Sequence, residues 1–286
     1  MNPAFAETAL VFPCEDTELP GILHTGAPDA TRGVLVVVGG PQYRVGSHRQ
    51  FILLARSLAQ AGVPVLRFDY RGMGDGGGEF TGFENIDADI HAALDAFSQQ
   101  LPQLREIVIW GLCDAASAAL FYAWRDPRVS GLVLLNPWAR TEAGQARAYL
   151  RHYYLSRLIS PDLWRKIRRG DFAFSAAWRS LWTLLGQARP VDSGKAVAAH
   201  PEQRPLPERM ADGWRRFHGP ILLILSGDDL TAAEFRDMTR TARTWRRLLA
   251  QPRVTVREYA EANHTFSCRE WRDQVAAWTR EWLGTW

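Results

Sequence analysis

The chain has 286 residues, enough for one large α/β domain or a core domain with an insertion. Hydrophobic residues make up 47% and charged residues 23%, an ordinary globular balance that excludes disorder, collagen-like repeats and coiled coils. The 34 basic and 31 acidic residues leave a net charge of +3, too small an excess to argue for a nucleic-acid partner.

The charge is unevenly spread. Arg140 to His218 carries 15 basic and 7 acidic residues, so this stretch is basic and its flanks together are acidic. Lys166 and Lys195 are the only lysines; every other basic residue is Arg. Met1 to Leu10 lacks a basic region followed by an apolar one, so no signal peptide is expected. No apolar run approaches the roughly 18–20 residues of a membrane span, so no stable membrane insertion is expected. Three cysteines, Cys14, Cys113 and Cys268, do not suggest a disulfide framework. Together these features predict a cytoplasmic protein with reduced thiols.

In chain order, Ala9 to Phe12 and Leu19 to His24 read as a hairpin. Gly33 to Val38 is an uninterrupted β-branched run, the pattern of a strand buried on both faces. Phe51 to Ala61 has helical spacing, and Val63 to Phe68 is the next strand. Ile86 to Phe97 is an amphipathic helix, Glu106 to Trp110 a strand, Ala115 to Trp124 a helix of small residues and Gly131 to Leu135 a strand. After Asn136-Pro137 the alternation stops. Gly144 to Leu185 reads as wholly helical, and Gln187 to Pro207 as loop. Alternation resumes with strand Ile221 to Leu225, helix Ala232 to Ala250, strand Val254 to Tyr259 and helix Glu270 to Leu283. Such a βαβα order predicts a mostly parallel twisted sheet with helices on both faces. The expected division is core 1–139, helical cap insertion 140–217 and core 218–286.

Gly111-Leu112-Cys113-Asp114-Ala115 follows a strand and opens a helix, with small residues on both sides of a nucleophile. That is the pattern of a nucleophile elbow, a turn too sharp for large flanking side chains. The helix amino terminus favours a thiolate at Cys113. A carboxylate pair, Asp228 and Asp229, lies just past one strand, and His264 lies past the last strand. Nucleophile, acid and histidine thus occur in the order expected of a triad on such a sheet. Asp229 is the preferred acid and Asp228 the second choice. Oxyanion donors are expected from the Asp114 N–H and from the turn Gly39-Gly40-Pro41-Gln42. Pro41 has no N–H, which leaves Gly40 first and Gln42 second, through its backbone or side-chain amide.

Arg71 to Gly78 is glycine-rich but lacks the Gly-Lys-Ser/Thr ending of a phosphate loop and opens no helix, so no nucleotide cofactor is expected. The histidines show no ligand spacing, so no metal is expected either. Cys14 and Cys268 read as small core hydrophobes. Tyr43, Arg44 and His48 follow the predicted oxyanion turn, either facing a substrate or forming a surface loop. Arg151-His152-Tyr153-Tyr154 reads as a solvated face.

Together these stretches resemble the α/β-hydrolase fold. Val38-Gly39-Gly40-Pro41 stands in the place of its His-Gly-x-Pro loop, and Asp69 to Asp75 resembles its Asp-x-Arg-Gly-x-Gly-x-Ser loop. Gly-Leu-Cys-Asp-Ala is similar to its elbow, with Cys113 for serine as in dienelactone-hydrolase-like members. Gly39 to Phe51, Trp110 to Asp114 and Leu135 to Trp138 resemble the subfamily of exosortase A system-associated hydrolase 1, which implies a bacterial exopolysaccharide and protein-sorting setting. Ala115 departs from the elbow's second glycine, and Gly76 from the loop's serine.

The residues and the resemblance point to a Cys113-His264-Asp229 hydrolase of a small-molecule ester or thioester, with no nucleic-acid partner. Acyl transfer through the same acyl-enzyme, a non-catalytic binding role and a homodimer stay open. The basic middle segment is expected to favour anionic substrates.

Overall fold

The computed structural model describes residues 5–139 and 204–286. Most of the insertion expected at 140–217, including its helical run and Arg151 to Tyr154, lies outside the described residues. The described chain forms an eight-stranded sheet. Its strands are β1 (Glu7–Cys14), β2 (Thr17–His24), β3 (Arg32–Val37), β4 (Val65–Phe68), β5 (Glu106–Leu112), β6 (Val129–Leu135), β7 (Ile221–Asp228) and β8 (Val254–Asn263). They lie in the order β1-β2-β4-β3-β5-β6-β7-β8. β1 and β2 form an antiparallel hairpin closed by Glu15-Asp16, and β2 runs antiparallel to β4. From β4 to β8 every pairing is parallel.

The helices are α1 (Gln50–Gln60), α2 (Asp87–Gln100), α3 (Asp114–Tyr122), α4 (Leu206–Arg216), α5 (Leu230–Thr241), α6 (Arg243–Leu249) and α7 (Arg269–Leu283). α1 packs with α7, while α2 packs with α3, and α3 with α4. The sheet is therefore covered on both faces. This explains why β3, β5, β6 and β7 read as continuous apolar runs, since neither of their faces meets water. The helix read over Ala232 to Ala250 is two helices that break at Ala242, whose backbone is extended.

Helix α4 was not read from the sequence, and it falls within the span assigned to the insertion. Met210 and Trp214 on it are fully buried. Trp214 meets Trp245 of α6 edge-on at 5.5 Å, and Trp245 meets Phe235 of α5 in the same way. Such edge-to-face pairs add to simple apolar burial. Gly213 lets α4 approach closely, because a Cβ there would stand 2.0 Å from the Leu120 carbonyl oxygen of α3.

Among the described residues no helix is long and apolar enough to cross a membrane.

Candidate active site

Cys113 links β5 to α3 with φ 64° and ψ −123°. A non-glycine residue held there stores roughly 1–3 kcal/mol of backbone strain. The surroundings impose the turn. The Cys113 N–H donates to the Leu135 carbonyl at 2.9 Å, and its carbonyl accepts the Trp138 N–H at 3.1 Å. A side chain at Gly111 would meet the Ala115 and Ala116 backbone at 2.8 Å, which is why the elbow opens on glycine. Ala115 is accommodated from the opposite side. Its methyl group lies against Gly39, where a Cβ would be only 3.2 Å away, so the missing side chain of Gly39 makes room for the extra methyl of the elbow.

His264 follows β8 directly, because the strand continues to Asn263 rather than ending at Tyr259. A tight turn presents it. The Phe266 N–H donates to the Asn263 carbonyl at 3.1 Å, and the Asn263 side chain bonds to both the N–H and hydroxyl of Ser267. His264 Nδ1 lies 2.9 Å from Asp229 Oδ2, and Cys113 is near enough to act electrostatically on the same imidazole. Burial alone would lower the His264 pKa. The hydrogen bonds and charges of Asp229 and Cys113 outweigh it and raise the value to about 10.

Asp229 is also the N-cap of α5, accepting the N–H groups of Thr231 at 3.2 Å and Ala232 at 2.9 Å. Asp229 thus serves at once as helix cap and as partner of the histidine. Asp228 is exposed and pairs in register with Asn263, so it is not brought to the imidazole.

The expected oxyanion donors are arranged otherwise than the sequence suggested. The Gly40 N–H is not free: it donates to Asp114 Oδ1 at 2.7 Å, and the Ala115 N–H donates to the same oxygen at 2.9 Å. The Gln42 N–H donates to the Gly40 carbonyl at 2.8 Å, and the Gln42 side-chain oxygen accepts the Ser47 N–H at 3.2 Å. Burial raises the Asp114 pKa, opposed by its backbone hydrogen bonds and by His264. The backbone N–H groups of Gly40 and Gln42 on the turn after β3 are therefore both engaged. The sequence could not show this, because a free and an occupied N–H have the same letter code.

Arg44 is held away from a substrate role. Its N–H and guanidinium both bind the fully buried Asp69, the guanidinium also pairs with Asp75 at 2.8 Å, and Arg67 donates to its carbonyl at 2.8 Å. Asp69 in addition accepts the Asp75 N–H at 3.1 Å, so one carboxylate ties the segment after β3 to the loop after β4. Gly76 fits that loop, since a Cβ there would stand 2.5 Å from the Tyr70 carbonyl oxygen. Tyr43 is exposed, and His48 sits in a short 3-10 turn at φ 53°. Cys14 is buried, with its thiol pushed up to about 11 by burial. Cys268 stands at the amino terminus of α7.

Asn136 has a role that sequence reading missed. It is fully buried with φ 42°, and its amide donates to Ser226 Oγ at 2.8 Å and to the His264 carbonyl at 3.0 Å. Its oxygen accepts the Ser226 N–H at 2.9 Å. The loop Asn136-Pro137-Trp138 therefore touches both the Cys113 turn, through Trp138, and the His264 turn. The available signal was an Asn, tolerant of a left-handed backbone, directly after a strand.

The profile of the alpha/beta hydrolase family matches residues 34–278, and the chain belongs to that family. No curated protein is similar enough in sequence to match. Among solved structures, the chain is similar to the esterase Pf2001 of Pyrococcus furiosus, with TM-score 0.66 and 15% identity over 100% of this chain and 93% of that one. It is also similar to Est1E of Butyrivibrio proteoclasticus, solved with ferulic acid, with TM-score 0.63 and 15% identity over 96% and 98% of the two chains. A dienelactone hydrolase from Anabaena variabilis gives TM-score 0.60 and 17% identity over 98% and 97%. At these identities the likeness is one of fold.

Proposed function

We propose that the protein hydrolyses an ester or thioester through an acyl-cysteine intermediate on Cys113. The single observation that carries this is the placing of His264 between two partners, with its Nδ1 2.9 Å from Asp229 Oδ2 and Cys113 near enough to act on the same ring. Asp229 fixes the ring so that the other nitrogen, Nε2, serves the thiol.

In acylation, Sγ bonds to the acyl carbon while His264, kept protonated by its raised pKa, carries the proton. The oxyanion is met by the N–H of Asp114 at the start of α3, where the helix dipole favours negative charge. The tetrahedral adduct then expels an alkoxide or thiolate, which takes the proton from His264. In deacylation, His264 takes a proton from water as its oxygen attacks the thioester. Collapse releases a carboxylic acid and leaves the Cys113 thiolate beside protonated His264. A thiolate is a better leaving group than an amide nitrogen, so esters and thioesters outrank amides as substrates. The esterase names among the structures of similar fold agree with this class. The motifs shared with exosortase A system-associated hydrolases support a bacterial, cytoplasmic setting linked to exopolysaccharide.

The test is turnover of short p-nitrophenyl esters and acyl-CoA thioesters by wild type and Cys113→Ala, with intact-mass detection of the acyl adduct. Turnover and an adduct in wild type, both lost in Cys113→Ala, are expected. Equal turnover by the two proteins would overturn the reading. A burst followed by slow release, relieved by an added sugar alcohol, would replace hydrolysis by acyl transfer.

A further inference from the structure

The nucleophile elbow carries a carboxylate that the proposed reaction does not use. Asp114 immediately follows Cys113, and its Oδ1 accepts two backbone N–H groups, from Gly40 at 2.7 Å and from Ala115 at 2.9 Å. An anionic oxygen held by N–H groups beside the nucleophile is the arrangement an acyl oxyanion would itself require.

The surroundings fit the carboxylate closely. A Cβ on Gly39 would lie 2.5 Å from Asp114 Oδ1 and 2.2 Å from the Leu112 carbonyl oxygen, so only glycine leaves space for the side chain there. Gly40 adopts φ +62° with open space where a Cβ would be, so its glycine character serves the backbone turn and not a tight contact. The two residues thus make distinct contributions. Gly39 admits the carboxylate, and Gly40 turns its N–H toward it.

We propose that Asp114 occupies the second oxyanion position of the resting protein and must yield the Gly40 N–H to the carbonyl oxygen of a bound acyl group. The inference rests on Cys113 being the nucleophile. Asp114 then has two opposed parts: its backbone N–H stabilises the oxyanion, while its side chain competes with that oxyanion for Gly40. Two anionic oxygens cannot share one N–H at hydrogen-bonding distance without strong repulsion, so the carboxylate turns away when the oxyanion forms. This selects for substrates whose binding supplies the free energy of displacement, and it slows turnover of small, weakly bound esters. Asp114 is therefore a gating residue that sets which acyl groups proceed.

Asp114→Asn and Asp114→Ala test this. The amide is nearly isosteric but neutral, and a neutral acceptor holds an N–H less strongly than a carboxylate does. Two readouts are used: kcat/KM for p-nitrophenyl acetate, and the affinity of a short aliphatic aldehyde, which adds to Cys113 as a hemithioacetal with its oxygen in the oxyanion position. Aldehyde affinity is read from protection of Cys113 against iodoacetamide, so it needs no turnover. Both variants are expected to bind the aldehyde about tenfold more tightly than wild type and to raise kcat/KM by a similar factor. If both variants weaken aldehyde binding and lower kcat/KM while Cys113→Ala is inactive, the gate is overturned and Asp114 instead positions the turn after β3 for catalysis. If Cys113→Ala hydrolyses the ester as fast as wild type and the aldehyde gives no protection, the nucleophile assignment itself fails and the gate with it. Thermal melts of both variants show whether a loss reflects unfolding.

Discussion

Asp229 Oδ2 lies 2.9 Å from His264 Nδ1 and also accepts the Ala232 N–H at 2.9 Å. One oxygen therefore fixes the start of α5 and the orientation of the imidazole. The helix holds the carboxylate still, and the carboxylate in turn holds the ring.

Asp229→Ala removes both contacts. It is expected to lower kcat on a p-nitrophenyl ester by about 10²–10⁴-fold, the range for losing a triad acid. Loss of the N-cap should cost roughly 1 kcal/mol of stability. Asp228→Ala, at an exposed site, should leave activity within a few-fold and stability within about 0.5 kcal/mol. Steady-state rates and urea melts of the two variants check this, and equal losses would move the acid to Asp228.

The raised pKa of His264, about 10, has a signed consequence. The group binds its proton more tightly in the folded state than in the unfolded one, where its value is near 6.5. Its contribution to stability is therefore fully present below about pH 6.5 and is lost as pH rises through about 10. The stability gap between wild type and Asp229→Ala should narrow over that window. Titration of the His264 ring by NMR should also show a lower pKa in Asp229→Ala and in Cys113→Ala, because burial then acts against fewer partners. An unchanged His264 titration in both variants would refute the coupling.

Cys113 is strained at φ 64°, a conformation glycine adopts freely. Cys113→Gly should abolish hydrolysis and raise stability by about 1 kcal/mol through relief of that strain. Cys113→Ala should abolish hydrolysis without the gain. Paired denaturant melts separate the two, and a glycine variant no more stable than the alanine one would show that the elbow holds no recoverable strain.

Asn136 ties β7 to the His264 turn through three hydrogen bonds while buried at φ 42°. Asn136→Ala strands several buried polar groups and places alanine in a left-handed backbone. A cost of about 2–4 kcal/mol and a fall in kcat of about tenfold or more are expected. Asn136→Gly should recover part of the stability, since it suits the backbone, but not the rate, since the link to the His264 carbonyl is still missing. Recovery of both would confine Asn136 to a backbone role.

Much of the fold was legible because the parallel strands are buried on both faces. Runs such as Gly33 to Val38 and Ile221 to Leu225 carry their burial in their composition. Cys113, Asp229 and His264 were legible because each follows a strand end, where chain order is informative. Helix α4 was not legible, because its polar face and the flanking prolines obscure a short apolar face that only packing on α3 and α6 defines.

By itself, then, the sequence determined the sheet, the elbow and the identity of three candidate reacting groups, because these follow from local pattern and order. Tertiary structure decided between Asp228 and Asp229, bound the Gly40 N–H to Asp114, and joined both turns of the site through the Asn136 loop. Each of those outcomes rests on a hydrogen bond between residues distant in the chain or on the direction of one side chain, and neither leaves a trace in local periodicity.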